Sequence, residues 1–333
     1  MLKVGLIGCG VIGRIHASCY GTPGSSVTLA AAADVMPERA KNIAERFGCE
    51  VYSSGMELIE NSDVDIIDIC IPTYMHTSHA VAAMKKGRHV FIEKPVCLSL
   101  DEADLLVKAQ KETGVFVQIG QVLRFWDEYM WLKQTADNET YGKLKSAVFS
   151  RLSAAPKWSW ENWYADCKKS GSVVLDLHIH DIDFVRYLMG EPQKITANAS
   201  RDEKGEIQQI FAAYDYGDMV VTAEGCWDYP ADFPFCASYR AKFEKATAVY
   251  DGGTLTVYMA DGTRFVPEFG DGSSYDYTGY CMADTGPYYR ELKYFTDCIE
   301  KGVAPVKAPL SEGIKSVMLA LEEIKLTGGV MKK

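Results

Sequence analysis

VGLIGCGVIGR, residues 4–14, sets an apolar run against three glycines, Gly8, Gly10 and Gly13, and then continues as a helix. Each glycine has a separate reason: Gly8 for a tight turn, Gly10 for close approach of a pyrophosphate, Gly13 for packing of helix on strand. The pyrophosphate would lie on the N-terminus of a helix over 11–20, against the backbone of Val11 and Ile12, where unpaired N–H groups and the helix dipole favour an anion. The next apolar run, 27–33, ends on Asp34. A carboxylate there accepts hydrogen bonds from the adenosine ribose hydroxyls and repels a 2′-phosphate. Its follower is Val35 rather than Arg or Ser, which favours NAD over NADP.

Working outward, Pro37 opens a helix that stops at Gly48. A strand over 66–71 meets Pro72, and a helix over 73–86 follows, closed by Gly87. Tyr74, His76 and His79 stand near its start, at the carboxyl edge of the sheet where open α/β folds bind ligands. His76 reads equally as a contact to nicotinamide or substrate and as a solvated first-turn histidine. The strand 89–92 delivers Glu93-Lys94-Pro95 to the same edge, which makes Lys94 a candidate for polarising a substrate hydroxyl. Ser99 and Glu102 form a capping box for a helix to Thr113, and a strand over 115–119 completes the set. Strands alternating with helices require a parallel, right-handed, doubly wound sheet, an α/β Rossmann domain.

A chain of 333 residues exceeds what one core usually fills, so two domains are expected, 1–122 for the nucleotide and 123–333 for substrate and oligomerisation. The net charge of −10, with no cluster of Lys and Arg, excludes a nucleic-acid surface. No apolar run approaches the eighteen residues of a membrane span, and a first strand beginning at residue 2 leaves no room for a leader, so the expected compartment is the cytoplasm. Ten cysteines without a C-x-x-C pair read as reduced core residues, Cys9 included.

The second half changes character. Helical periodicity over 123–137 carries Phe125, Trp126, Tyr129 and Trp131, an aromatic stripe read as packing between domains. Residues 156–164 bring Trp158, Trp160 and Trp163 together in a proline-bearing loop. Stacking on the C–H face of a sugar or cyclitol and packing in a core or dimer are both open for them. Gly171-Ser172 then caps a helix over 173–189, on which Asp176, His180 and Asp183 fall at i, i+4 and i+7 on one face. His178 points nearly the opposite way, so Asp176, His178 and His180 cannot close on one ion, and no metal is expected. Histidine has the unperturbed pKa nearest neutrality, which suits His180 as general base, with Asp176 one turn earlier to orient its imidazole. Strands over 194–199, 206–214, 219–226, 235–243, 247–250 and 254–258, with turns at Tyr216-Gly217-Asp218 and Asp251-Gly252-Gly253, predict a large, mostly antiparallel sheet in an α+β domain. The 173–189 helix would cover one face; the other would be costly to leave bare. Two helices, 288–300 and 311–327, close the chain.

The glycine turn, Asp34, Ile71-Pro72-Thr73 with His76, and Glu93-Lys94-Pro95 together resemble the glucose–fructose oxidoreductase / inositol dehydrogenase family, often called Gfo/Idh/MocA. Asp176-x-x-x-His180 resembles the inositol 2-dehydrogenase pattern in particular. The resemblance implies Lys94, Asp176 and His180 as the catalytic group, with Gly8, Gly10, Val11, Ile12, Gly13, Asp34, Pro72, His76, Glu93 and Lys94 around NAD. It also implies an arginine, here Arg124, and Tyr288 or Tyr289 of the closing pattern near the substrate, beside Trp158 and Trp163. A homodimer or homotetramer through the open sheet follows from it, as does return of the last helix, 310–328, to the nucleotide domain. The activity implied is NAD-dependent oxidation of a secondary hydroxyl of a cyclitol or sugar. The alternatives are a redox-assisted glycosidase that retains NAD, and a sugar- or NAD-sensing regulator.

Overall fold

A computed structural model describes residues 1–22, 25–157, 159–269 and 286–328. The chain divides into two compact units: Met1–Phe125 with the described part of Gly272–Ile314, and the described parts of Trp126–Asp271 and Lys315–Lys333.

In the first unit, six parallel strands, β1 (Leu2–Ile7), β2 (Val27–Ala33), β3 (Glu50–Tyr52), β4 (Ile66–Ile69), β5 (His89–Glu93) and β6 (Val117–Gly120), stand in the order β3-β2-β1-β4-β5-β6. This is the dinucleotide-binding order. Helices on both faces bury the central strands, so Val4, Leu6, Ile66, Ile67, Val90, Phe91 and Ile92 are inaccessible to water. The expected punctuation acts as read: Pro37 opens Pro37–Phe47, Gly48 ends it in the left-handed region, and Ser99 Oγ accepts from Glu102 N at 3.2 Å to cap Leu100–Thr113. The short strand β3 and the helix Gly55–Asn61 add to what the sequence pattern predicts.

The expected domain division is corrected at its far end. The helix Pro287–Glu300 belongs to the first unit, where Leu292 and Phe295 join Val4, Leu6, Val27 and Leu29 in one core. Apolar residues at 292, 295 and 299 make a stripe at helical spacing, and burying that stripe fixes where the helix lies. The helix Leu310–Leu326, expected whole on the nucleotide domain, contributes its residues from Lys315 onward to the second unit.

The second unit is built on eight strands: β7 (Leu144–Ala154), β8 (Lys194–Arg201), β9 (Ile207–Asp215), β10 (Val220–Tyr229), β11 (Cys236–Phe243), β12 (Ala246–Tyr250), β13 (Leu255–Met259) and β14 (Arg264–Phe265). Their order is β14-β13-β12-β11-β7-β10-β9-β8, antiparallel throughout except between β7 and β10. The covered face carries Phe149, Tyr214, Tyr239 and Tyr250, all buried. Tyr129, from the helix Asp127–Asp137, enters this layer edge-on to Phe184 at 4.8 Å and to Tyr239 at 5.3 Å, so this residue of the stripe serves the core of its own unit. That stripe is not one continuous helix, because a 3₁₀ turn Val122–Phe125 ends before Trp126 in extended backbone.

The expected α-helix over 173–189 is also corrected. Val174–His178 form a π-turn, and only Ile179–Met189 is α-helical. The wider turn changes the angular offset of Asp176 from His180, while His180 and Asp183, at i and i+3 within the α-helix, keep a common face. Asp176 and His180 are partly exposed, whereas Asp183 is buried and accepts from Ser316 Oγ at 2.8 Å.

Candidate functional site

The shape of the glycine turn is set by close backbone contacts. Gly8 takes φ +93°, and a Cβ there would overlap the Cys70 carbonyl oxygen. A Cβ at Gly13 would overlap the carbonyl oxygen of Gly8 itself, so the helix Val11–Tyr20 rests directly on the turn. Gly10 differs: a Cβ there would meet no protein atom within 4 Å. The backbone is bare on that side, and no side chain caps the helix N-terminus at Gly10. This is the cradle a pyrophosphate requires, so these residues fit NAD.

Asp34 ends β2 beside the turn. Its Oδ2 accepts from Cys9 N at 2.7 Å and its Oδ1 from Met36 N at 2.8 Å, which fixes the carboxylate while leaving lone pairs for ribose hydroxyls. Cys9 is fully buried, and burial pushes its thiol up to about 12, so it packs as an inert core residue.

His76 is buried with Nε2 at 2.8 Å from the Ile71 carbonyl, next to Pro72, and Nδ1 at 2.8 Å from the Pro95 carbonyl. It therefore ties the loop after β4 to the Glu93-Lys94-Pro95 segment. Burial lowers its pKa, partly countered by the two carbonyls. Lys94 is half-buried. Glu93 Oε2 accepts from Lys94 N at 3.2 Å, and the carboxylate lies over Gly120, where a Cβ would come within 2.7 Å of it.

Beneath this edge is a polar cluster that sequence reasoning missed. His16 Nδ1 is 2.9 Å from Asp68 Oδ2, Tyr20 Oη donates to the same oxygen at 2.9 Å, and His16 Nε2 is 3.3 Å from Glu93 Oε1. Burial favours the neutral imidazole, but Cys70 and Asp68 against Nδ1 outweigh it, and the pKa of His16 stands well above its ordinary value. Cys70, His16 and Asp68 lie within 4.8 Å of one another, closed up by hydrogen bonds among themselves. A single polar residue on the buried face of the first helix was the signal available in the sequence.

Of the expected substrate contacts in this unit, Arg124 is buried, donates from Nη1 to the Lys307 carbonyl at 2.5 Å and lies 3.7 Å from Glu312. Tyr288 packs on the core, 6.1 Å from His16 between ring centres.

In the second unit Asp176 lies inside the π-turn and His180 begins the α-helix beyond it. Asp181, next to His180, points the other way and receives Arg151 through Nε at 2.9 Å and Nη2 at 3.0 Å. His178 is buried against Glu323. Trp163 stacks on Tyr164 at 4.0 Å, and Trp158 lies outside the described residues.

Residues 2–121 match the model of an oxidoreductase family with an NAD-binding Rossmann fold, Gfo/Idh/MocA, and residues 129–280 match that family's C-terminal domain. The chain belongs to the Gfo/Idh/MocA family. It is 28% identical over 321 residues to scyllo-inositol 2-dehydrogenase (NAD(+)) of Bacillus subtilis, covering 92% of this chain and 88% of that protein. With inositol 2-dehydrogenase 4 of Saccharopolyspora erythraea it shares 30% identity over 262 residues, 77% of this chain and 73% of the relative. The fold is that of levoglucosan dehydrogenase, solved with NADH and levoglucosan, at a TM-score of 0.84 and 20% identity over 98% of this chain and 97% of that one. As a Gfo/Idh/MocA member the chain is an NAD-dependent oxidoreductase acting on CH–OH groups. Among its described residues no helix is long and apolar enough to cross a membrane.

Proposed function

We propose that this oxidoreductase takes hydride from a secondary hydroxyl of a cyclitol or sugar, with Lys94, Asp176 and His180 as its catalytic residues. NAD, when bound, supplies the hydride acceptor, and Gly8, Gly10, Gly13 and Asp34 are the residues that would hold it. The protein must grip the hydroxyl and remove its proton as the hydride departs. His180 takes that proton, and Asp176 steadies the imidazole and the positive charge it acquires. Lys94 donates to the substrate oxygen and stabilises the developing alkoxide, an effect of about 3 kcal/mol in a dry site. The observation that carries this reading is that Asp176 and His180 are the partly exposed titratable pair on a helix otherwise turned mostly inward.

A second element of the proposal is a homodimer or homotetramer in the cytoplasm, and the outer face of the sheet supports the association. Val148, Phe211, Val220 and Tyr258 are exposed on that one face, by the pairings Val148 with Thr222, Phe211 with Glu224, and Val220 with Ser146. Arg240, Lys242 and Glu224 stand among them on the same face, and an exposed apolar group of this kind on a sheet supports a contact with a second copy.

A screen of inositols, pyranoses and their acids for NADH absorbance is expected to find a substrate with net turnover. With it, Lys94→Ala and His180→Ala should each lower kcat about a hundredfold with NAD affinity little changed. Near-normal turnover in either variant overturns the assigned roles.

A further inference from the structure

The π-turn Val174–His178 follows two residues in the left-handed region, Gly171 at φ 75° and Ser172 at φ 65°. Serine at that φ and a turn with poorer hydrogen-bond geometry persist only where their surroundings hold them. What holds them is visible at the end of the turn. His178 has 0% exposure, and its Nε2 is 3.0 Å from Oε2 of Glu323, which also has 0% exposure. Tyr214 Oη donates to the other carboxylate oxygen, Oε1, at 2.6 Å. The imidazole is pressed against β10 at Gly225, where a Cβ would come within 2.7 Å of His178 Cβ and 3.0 Å of Nδ1. Turn, strand β9 and the helix Leu310–Leu326 thus converge on one buried carboxylate, and removing either partner leaves a buried polar group without its hydrogen bond.

We propose that His178 is a positioning residue: its anchorage to Glu323 and Tyr214 fixes the π-turn and, with it, the rotation of Asp176 relative to His180. Asp176 lies two residues before His178 and His180 two residues after it, so the winding of the turn at the anchored residue sets the angle between the pair about the helix axis. Freed from Glu323, the turn can relax to α-helical winding, which changes the angle between the two side chains. This inference rests on the reading of Asp176 and His180 as the catalytic pair.

The test uses the full chain with isotope-labelled histidine, where six histidines give a spectrum small enough to assign and His180→Ala identifies the His180 ring signals. In His178→Asn and Glu323→Gln, the His180 ring signals should shift, and kcat for the polyol found in the screen should fall about tenfold or more with the KM for NAD unchanged. Tyr214→Phe leaves the His178–Glu323 contact in place and should move both readouts the same way by less. Unmoved His180 signals in a folded Glu323→Gln or His178→Asn protein overturn the proposal even if melting temperature falls, because a merely structural role would do only that. If His178→Asn does not fold, Glu323→Gln decides by the same criterion; if that variant does not fold either, unmoved signals in Tyr214→Phe overturn it. Should no polyol be oxidised by the unmodified protein, the proposed function fails, while the ring signals still report on the positioning.

Discussion

The glycine turn and the π-turn each present backbone and polar groups at the start of a helix, but they are held by different means. At the first, the restraints are backbone contacts and one carboxylate at the end of the neighbouring strand: Gly8 N donates to the Ala33 carbonyl at 2.8 Å, Cys9 N to Asp34, and Gly13 rests on Gly8. At the second, the restraints are buried side chains from distant segments. Arg151 grips Asp181 from β7, Glu323 grips His178 from 145 residues away, and Ser316 bonds both Arg186 and Asp183. A turn of the first kind is a property of one strand end and the strands beside it; one of the second kind draws on segments spread over its whole unit.

The difference is broken most forcefully at Arg151. Replacing it by leucine leaves Asp181 as a fully buried charge without its bidentate partner, and chemical denaturation should show a loss of about 3–5 kcal/mol. NAD titration of the folded fraction should be unchanged, since Arg151 has no part in the glycine turn. A loss below about 1 kcal/mol would show that the second unit does not depend on its ion pairs.

That contrast also explains what the sequence disclosed. Gly8, Gly10, Gly13, Asp34 and the capping residues Pro37, Gly48 and Ser99 act through local geometry, so their positions and consequences were legible. The sheet was legible too, because alternation and turn glycines mark each hairpin. Asp176 and His180 could be named, but the π-turn between them could not, since nothing in residues 171–183 encodes Glu323 or Tyr214. For the same reason the burial of Asp183 could not be read and His16 was missed: their partners, Ser316 and Asp68, are 133 and 52 residues away.

Within the glycine turn the comparison sharpens to two alanines. Gly13→Ala drives a methyl into the Gly8 carbonyl, so melting temperature should fall by the equivalent of about 1–3 kcal/mol and NAD binding should be lost with it. Gly10→Ala meets no protein atom, so melting temperature should hold while NAD affinity drops. If both variants lose stability equally, the open side of Gly10 is not a ligand cradle.

The smallest effect is expected at Asp34, where the two kinds of restraint meet in one side chain. Its carboxylate supports the turn through Cys9 N and Met36 N, and it is also the group that would select NAD through the ribose. Asp34→Asn keeps an oxygen for one backbone donor and removes the negative charge. Losing charge-assisted acceptance should weaken NAD a few-fold, while removing repulsion of a 2′-phosphate should strengthen NADP, together narrowing their ratio about tenfold, or about 1.4 kcal/mol. Titration of both nucleotides against the two proteins measures this directly. If the ratio stays fixed while stability falls, Asp34 is a brace for the glycine turn alone, and NAD preference must arise from another residue near the end of β2.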